Sequence, residues 1–146
     1  MATRFFLCTT CGNVVVKAID SGVRVICCGK EMQEITPKTS DTWMEKHLPV
    51  VEHIDDCTVR VKVGSIPHPM TKEHHIVFIY LETEHGGQIQ YLDPEGPAEA
   101  YFCGCKDKPV AVYEYCNLHG LWKTEIQNCP GDTGEGCETK KSCCCK

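Results

Sequence analysis

The feature that most restricts the fold is a series of short β-prone stretches between residues 57 and 115. In CTVRVKV (57–63) apolar and polar residues alternate, so that one face of the predicted strand is apolar. Four stretches of the same kind follow, separated by glycine, proline or aspartate: HIVFIYLE (75–82), GQIQYL (87–92), AEAYFCG (98–104) and PVAVYEY (109–115). Such short strands with frequent turns predict an antiparallel β-sandwich, and no stretch has a helical period.

A small cysteine-stapled module is predicted ahead of this sandwich. Two β-rich runs, NVVVKAI (13–19) and GVRVI (22–26), are joined by Asp20-Ser21-Gly22, which favours a hairpin. The chain is therefore predicted to be all-β, with a metal-binding module in residues 1–36 and the sandwich in residues 37–126. Residues 127–146 have almost no apolar side chains and are predicted to form a flexible, cysteine-rich tail.

Composition narrows the class of protein. The net charge of −5 and the lack of a basic stripe argue against nucleic-acid binding. No apolar run reaches the roughly eighteen residues of a membrane-spanning helix, and MATRFFLCTTCG lacks a signal-peptide core, so we expect a cytoplasmic protein. Among thirteen cysteines in such a compartment, close pairs more often bind metal than form disulfides.

Four cysteines form the first candidate site: Cys8 and Cys11 in C-T-T-C, and the neighbours Cys27 and Cys28. A C-x-x-C knuckle directs two sulfurs at one ion, and a second pair completes a tetrahedron. Four sulfurs suit zinc and iron alike, and two disulfides or a purely structural zinc are the alternatives. Because side chains of neighbouring residues point apart, the adjacent pair is expected to distort the tetrahedron.

Histidines around one thiolate form the second candidate site. His47 lies in EKHLP, His68 lies between two prolines in IPHPM, and His74 and His75 lie in KEHHI. Cys116 and His119 follow in YCNLHGLW. On a strand His74 and His75 point to opposite faces, so only one of them can reach the site, and periodicity does not decide which. The other two histidines, His53 and His85, are interpreted as surface residues.

The donor set favours iron over copper and zinc. A blue-copper site has a methionine a few residues after its cysteine and histidine, and none follows Met70. Zinc hydrolases rarely combine a lone thiolate with several imidazoles. Iron accepts several nitrogens together with one axial thiolate.

The order C-x-x-C, C-C, E-K-H-x-P, H-P-M and C-N-x-H-G resembles the desulfoferrodoxins, the two-iron superoxide reductases, over residues 4–126. The resemblance implies a desulforedoxin-like domain followed by an immunoglobulin-like β-sandwich, with two iron ions per chain. It implies one iron on Cys8, Cys11, Cys27 and Cys28, and a catalytic iron on His47, His68, His74, His119 and an axial Cys116. The spacing within the family thus selects His74 over His75.

The resemblance also implies a reaction: superoxide is reduced by one electron to hydrogen peroxide without release of oxygen. Lys46 would attract the anion, and Glu45 would close the open coordination position of the oxidised iron. The backbone amides of Leu118 and His119 are candidates for hydrogen bonds to the axial sulfur. A rubredoxin-like electron donor and a homodimer are implied as well.

Two other functions stay open, and several cysteines have no place in the family pattern. The alternatives are a non-catalytic, rubredoxin-type electron-transfer protein and a zinc-stapled interaction module. The cysteines without a family role are either plain reduced thiols or an accessory metal or thiol-exchange site: Cys103, Cys105, Cys129, Cys137, Cys143, Cys144 and Cys145.

Overall fold

The computed structural model describes residues 3–40, 42–55, 57–104 and 107–126, and in these residues the chain is all-β apart from one helical turn. The elements in chain order are β1 (Phe5–Leu7), β2 (Val14–Val16), β3 (Ile26–Cys27), β4 (Lys30–Glu31), β5 (Gln33–Ile35), α1 (Met44–His47), β6 (Pro49–His53), β7 (Thr58–Val63), β8 (Ile76–Thr83), β9 (Gly87–Tyr91), β10 (Glu99–Cys103), β11 (Pro109–Cys116) and β12 (Gly120–Glu125). The chain divides into two compact units between Thr36 and Pro37. The predicted flexible tail, residues 127–146, lies outside the described residues.

The N-terminal unit contains a three-stranded sheet in the order β2-β1-β5 and a separate β3-β4 hairpin. Both pairings of β1 are antiparallel. The core is small: Phe6, Cys8 and Met32 form one buried cluster. Such a core stabilises a short unit only weakly, so crosslinking through its cysteines matters more here than in a larger domain.

The predicted hairpin between NVVVKAI and GVRVI is wrong. β2 pairs with β1, and Ile26 is the only residue of GVRVI that lies in a strand. Val23 and Ile26 are 70% and 61% exposed. Strand β1 carries Phe5, which is almost fully buried, and therefore offers β2 an apolar surface that GVRVI cannot offer.

The second unit is a sandwich of two antiparallel sheets, with strand orders β10-β7-β6 and β12-β11-β8-β9. The five predicted strands are confirmed, each within one residue of its observed ends. Alternation in β7 places Val59, Val61 and Val63 in the core, as predicted. They pack with buried side chains from both sheets: Ile76, Ile79, Leu81, Ala100, Phe102, Val112 and Cys116. Strands β6 and β12 were not predicted.

One end of the sandwich collects the loops that carry the candidate ligands. Strand β11 pairs with β12 on one side and β8 on the other, and its register with β8 shifts between Tyr115 and Cys116. Such a bulge redirects the side chain that follows it. Among the described residues no helix is long and apolar enough to cross a membrane.

Candidate metal centres

Five side chains converge at this end of the sandwich. Their ligand atoms all lie within 4.8 Å of one another. His47 ends α1, His68 lies between β7 and β8, His74 lies two residues before β8, Cys116 ends β11 and His119 lies in the turn to β12. Side chains from four separate segments can meet in this way only in the folded unit, so this group depends on the sandwich.

The four imidazoles form a closed ring. Successive ring centroids lie 4.6 Å apart for His47–His68, 4.7 Å for His68–His74, 4.9 Å for His74–His119 and 4.8 Å for His119–His47. Interplanar angles within these pairs are 62° to 82°. Each imidazole therefore presents its edge to its neighbours, an arrangement that aims four nitrogens at one central point.

The hydrogen bonds of the individual ring nitrogens are those expected of a metal site. Nδ1 of His47 lies 3.2 Å from Oε1 of Glu114, and Nδ1 of His68 lies 2.6 Å from the carbonyl of Pro69, which leaves both Nε2 atoms free. Nε2 of His68 and of His74 are buried without a hydrogen-bond partner. A buried polar atom without a partner costs free energy, and a bound cation would supply the missing interaction.

The thiol of Cys116 completes the donor set. It is fully buried, and its Sγ lies 3.8 Å from Nδ1 of His119. Burial raises the pKa of Cys116, while hydrogen bonds from the backbone amides of Leu118 and His119 oppose that rise. The two amides proposed from the sequence thus point at this sulfur, where they would stabilise a thiolate.

Burial keeps the imidazoles of His47 and His68 neutral, which is the form that binds metal. Burial, and after it the neighbouring imidazoles, lower the pKa of His47 to about 3, and burial is the main cause that lowers the pKa of His68 to about 4. Burial also raises the pKa of Glu114 well above its usual range. With a metal on Nε2 of His47, its Nδ1–H would donate to Glu114 and hold the ring in place.

Asn117 links the two loops that carry candidate ligands, the one before β8 and the one between β11 and β12. Its Nδ2 donates to the carbonyl of Glu73 at 2.9 Å, and its Oδ1 accepts from the amide of His75 at 3.0 Å. The side chain of His75 points elsewhere, with Nδ1 3.0 Å from the carbonyl of Thr71. The structure therefore brings His74 into the group and leaves His75 outside it.

Two aromatic rings flank the histidines. The ring of Trp122 stacks on His47 with centroids 4.7 Å apart, and Nζ of Lys38 lies 5.1 Å from the Trp122 centroid. The ring of Trp43 stacks on His119 with centroids 6.0 Å apart. Trp122 is buried and Trp43 is 52% exposed, so the group has a closed side and an open side.

The two residues predicted to act at the mouth, Glu45 and Lys46, precede His47 in α1. Glu45 is exposed and Lys46 is partly buried. The pKa of His74 is lowered by burial first and then by neighbouring charges, among them Lys46. The same ammonium contributes to the lowered pKa of His68. The positive charge of Lys46 therefore acts on the imidazoles of His68 and His74.

The four cysteines of the N-terminal unit also come together, with Sγ of Cys11 and Cys27 3.6 Å apart. Backbone amides of Cys11 and Thr10 lower the pKa of Cys8 to about 6, whereas the surrounding thiols raise the pKa of Cys28 to about 12. The thiolate of Cys8 is thus favoured, and that of Cys28 is disfavoured by the thiols around it. A cation that neutralises the sulfurs would remove this penalty.

The vicinal pair reaches one point through an unusual backbone. Cys28 has a φ of 52°, in the left-handed region that side chains other than glycine seldom adopt, and Gly29 follows at 72°. This conformation costs about 1–2 kcal/mol. It turns the Cys28 side chain toward the same side as Cys27, and a bound ion would offset the cost.

A third group, Glu84, His85 and Asp107, lies on the surface and is explained without a metal. Both carboxylate oxygens of Asp107 accept hydrogen bonds from His85, one from Nδ1 at 2.9 Å and one from the backbone amide at 3.0 Å. The ring of His85 is 83% exposed, and His53 is exposed as well. Both histidines are surface residues, as interpreted from the sequence.

Sequence reasoning missed the supporting residues Glu114 and Trp122. Glu114 precedes Cys116 by two residues on one strand, so its carboxylate lies on the same face as the ligand. Trp122 stands directly opposite Glu114 in the β11–β12 pairing. Of the cysteines outside the two groups, Cys103 forms no disulfide, Cys57 is disulfide-bonded, and Cys105 and the tail cysteines lie outside the described residues.

Both the sequence and the structure are similar to those of known proteins. The family model described as Desulfoferrodoxin matches residues 39–125. A desulfoferrodoxin of Syntrophotalea carbinolica is 41% identical over 120 residues, which cover 82% of this chain and 94% of that protein. A superoxide reductase of Pyrococcus horikoshii is 36% identical, over 66% of this chain and 98% of that protein. The crystal structure of the superoxide reductase from Treponema pallidum matches with a TM-score of 0.71 and 34% identity, over 85% of this chain and 98% of that chain.

Proposed function

Because the chain belongs to the desulfoferrodoxin family, we propose that it is a superoxide reductase with two iron sites. The reaction takes one superoxide, one electron from an external donor and two protons to one hydrogen peroxide, and it releases no oxygen. The observation that carries this proposal is the closed ring of four imidazoles with one buried thiol beside it.

The iron ligands at this site would be His47, His68, His74, His119 and Cys116. Iron held there would supply a one-electron reductant for a small substrate. The protein keeps the imidazoles of His47 and His68 neutral by burial. It holds the sulfur with the amides of Leu118 and His119, which temper its basicity.

A local positive charge would favour an anionic substrate at the open side of the histidine group, although the net charge of the protein is −5. Lys46 would attract superoxide over the last ångströms and hold its negative charge beside the histidine group. Glu45, which precedes Lys46 and is exposed, would supply a carboxylate ligand for the oxidised iron in the absence of substrate. The positive charge that Lys46 exerts on His68 and His74 supports its placement.

The second iron would lie on Cys8, Cys11, Cys27 and Cys28 and exchange electrons. A rubredoxin-like protein is the proposed external donor. We further propose a homodimer in the cytoplasm. The N-terminal unit has a buried cluster of only three residues and leaves Ile19, Val23 and Ile26 largely exposed, which supports a partner surface there.

Metal content combined with superoxide consumption tests the proposal. Iron-replete protein should contain two irons per chain and consume superoxide with an external reductant. His119→Ala and Cys116→Ser should each lose the consumption and one iron, and His75→Gln, the matched control, should keep both. Two irons with no superoxide consumption would favour the electron-transfer protein, and zinc alone would favour the interaction module.

A further inference from the structure

Trp43 is a large aromatic residue that lies half exposed at the open side of the histidine group and has no role so far. Its ring stacks on His119 with an interplanar angle of 9°. Nζ of Lys46 lies 5.9 Å from the centroid of the same ring. One indole thus contacts both a proposed ligand and the proposed substrate-attracting cation.

The backbone arranges this contact. Trp43 precedes α1, and its carbonyl accepts the amide of Lys46 at 3.1 Å. Residues three apart on a helical turn lie on one face, so the lysine side chain extends over the indole. The carbonyl of Glu45 accepts the amide of Ile66 at 3.0 Å, which anchors the turn to the loop after β7. The backbone of Lys46 is therefore fixed, and only its long side chain is free to move.

A lysine side chain with no partner populates many rotamers, because its four torsions are costly to order. Its charge would then have no fixed position. An indole face within about 6 Å attracts an ammonium and is the best aromatic partner for one. The ring is itself held by its stacking on His119. The ammonium is thus restrained beside an indole whose other contact is the ring of His119.

We propose that Trp43 is a positioning residue, which holds the ammonium of Lys46 at the mouth of the histidine–cysteine site by a cation–π contact. The proposal rests on the superoxide reductase function argued above, because the restrained charge is useful only if the substrate is an anion. The alternatives are that Trp43 merely covers His119 or that it contacts an electron donor, and the experiment below separates them.

The contact itself is measured without any activity. In full-length protein loaded with zinc, which is diamagnetic, the Lys46 side-chain methylene protons should show upfield ring-current shifts. These shifts should vanish in Trp43→Leu and persist in Trp43→Phe. Unshifted methylene protons in the wild-type protein would overturn the proposal whatever the enzyme does.

The consequence is measured as the rate constant for superoxide with the reduced, iron-loaded protein. Trp43→Leu should lower this rate constant about two- to fivefold, which is the effect expected from loss of an exposed cation–π contact. The rate constant should also depend less on ionic strength. Trp43→Phe should restore most of the rate, and Trp43→Leu should have no further effect in a Lys46→Met background. A loss of rate that persists in that background would overturn positioning and favour cover of His119. A loss seen only in turnover with a protein donor would overturn it too, in favour of donor contact. Ring-current shifts without any superoxide consumption by the wild-type protein would instead refute the superoxide function and leave the contact standing.

Discussion

Acidification should unfold the metal-free sandwich through its buried imidazoles. His47 and His68 are 1% and 4% exposed, and burial holds their pKa values at about 3 and about 4, against 6.5 for an exposed histidine. The folded state therefore favours the neutral rings. Their contribution to stability is complete above pH 6.5 and is lost as the pH falls from there toward the folded pKa values.

The magnitude follows from these values. Between pH 7 and pH 5 the unfolded chain gains nearly one proton at each of the two histidines and the folded chain almost none, which costs about 2 kcal/mol per histidine. The two together should lower the free energy of unfolding by about 4 kcal/mol, a large share of what a small domain has. Glu114 acts in the opposite direction. Burial raises its pKa, so the folded state keeps a proton that the unfolded state loses, and this stability is lost as the pH rises.

Urea unfolding of the iron-free protein at pH 7 and pH 5, followed by the fluorescence of the buried Trp122, measures this difference. His68→Gln should make the acid loss smaller than in the wild-type protein by about 2 kcal/mol, the contribution of one histidine. Glu114→Gln should make the loss steeper than in the wild-type protein, because the opposing proton is gone. His75→Gln, next to a ligand but outside the group, is the control and should match the wild type. Equal losses in the wild-type and His68→Gln proteins would refute the reasoning.

Three further predictions concern the supports of the two sites. Asn117→Ala removes the hydrogen bond to the amide of His75 and should cost about 0.5–1.5 kcal/mol in urea unfolding and weaken zinc binding in a chelator competition; unchanged zinc affinity would contradict the role of Asn117 in linking the two loops. Gly64→Ala should cost at least about 2 kcal/mol in the same unfolding assay, because φ is +81° and the added Cβ would lie 2.7 Å from the carbonyl oxygen of Lys46; wild-type stability would contradict this. Cys11→Ser should lower the iron content from two to one per chain and leave single-turnover superoxide consumption intact, and loss of that consumption would show that the two sites are coupled.

The sandwich was predictable where local alternation and burial agree. The valines of β7 follow the period of two and lie in the core. Strand β6 begins at a proline, and β12 contains GLWKTE, in which no clean alternation exists, so both form because of their partners across the sheet. The run GVRVI did not form the predicted hairpin for the converse reason: its composition favours a strand, but only Val25 packs on the small N-terminal core, and Val23 and Ile26 are largely exposed.

The ligands were predictable from spacing, and their supports were not. Residue chemistry could not separate His74 from His75, and the choice came from the family resemblance. In the structure the backbone of His75 is fastened to Asn117 and its ring to the carbonyl of Thr71. Trp43 and Glu114 lie far from their partners in sequence or carry no motif, so only the fold shows that they contact His119 and His47.

The product ratio tests the central claim most directly. Reduced, iron-loaded protein is mixed with a known amount of superoxide, and hydrogen peroxide and oxygen are both measured. We predict one hydrogen peroxide for each superoxide consumed and no oxygen, with the activity absent in Cys116→Ser. One oxygen for every two superoxide molecules consumed would identify a dismutase and contradict the reductase account.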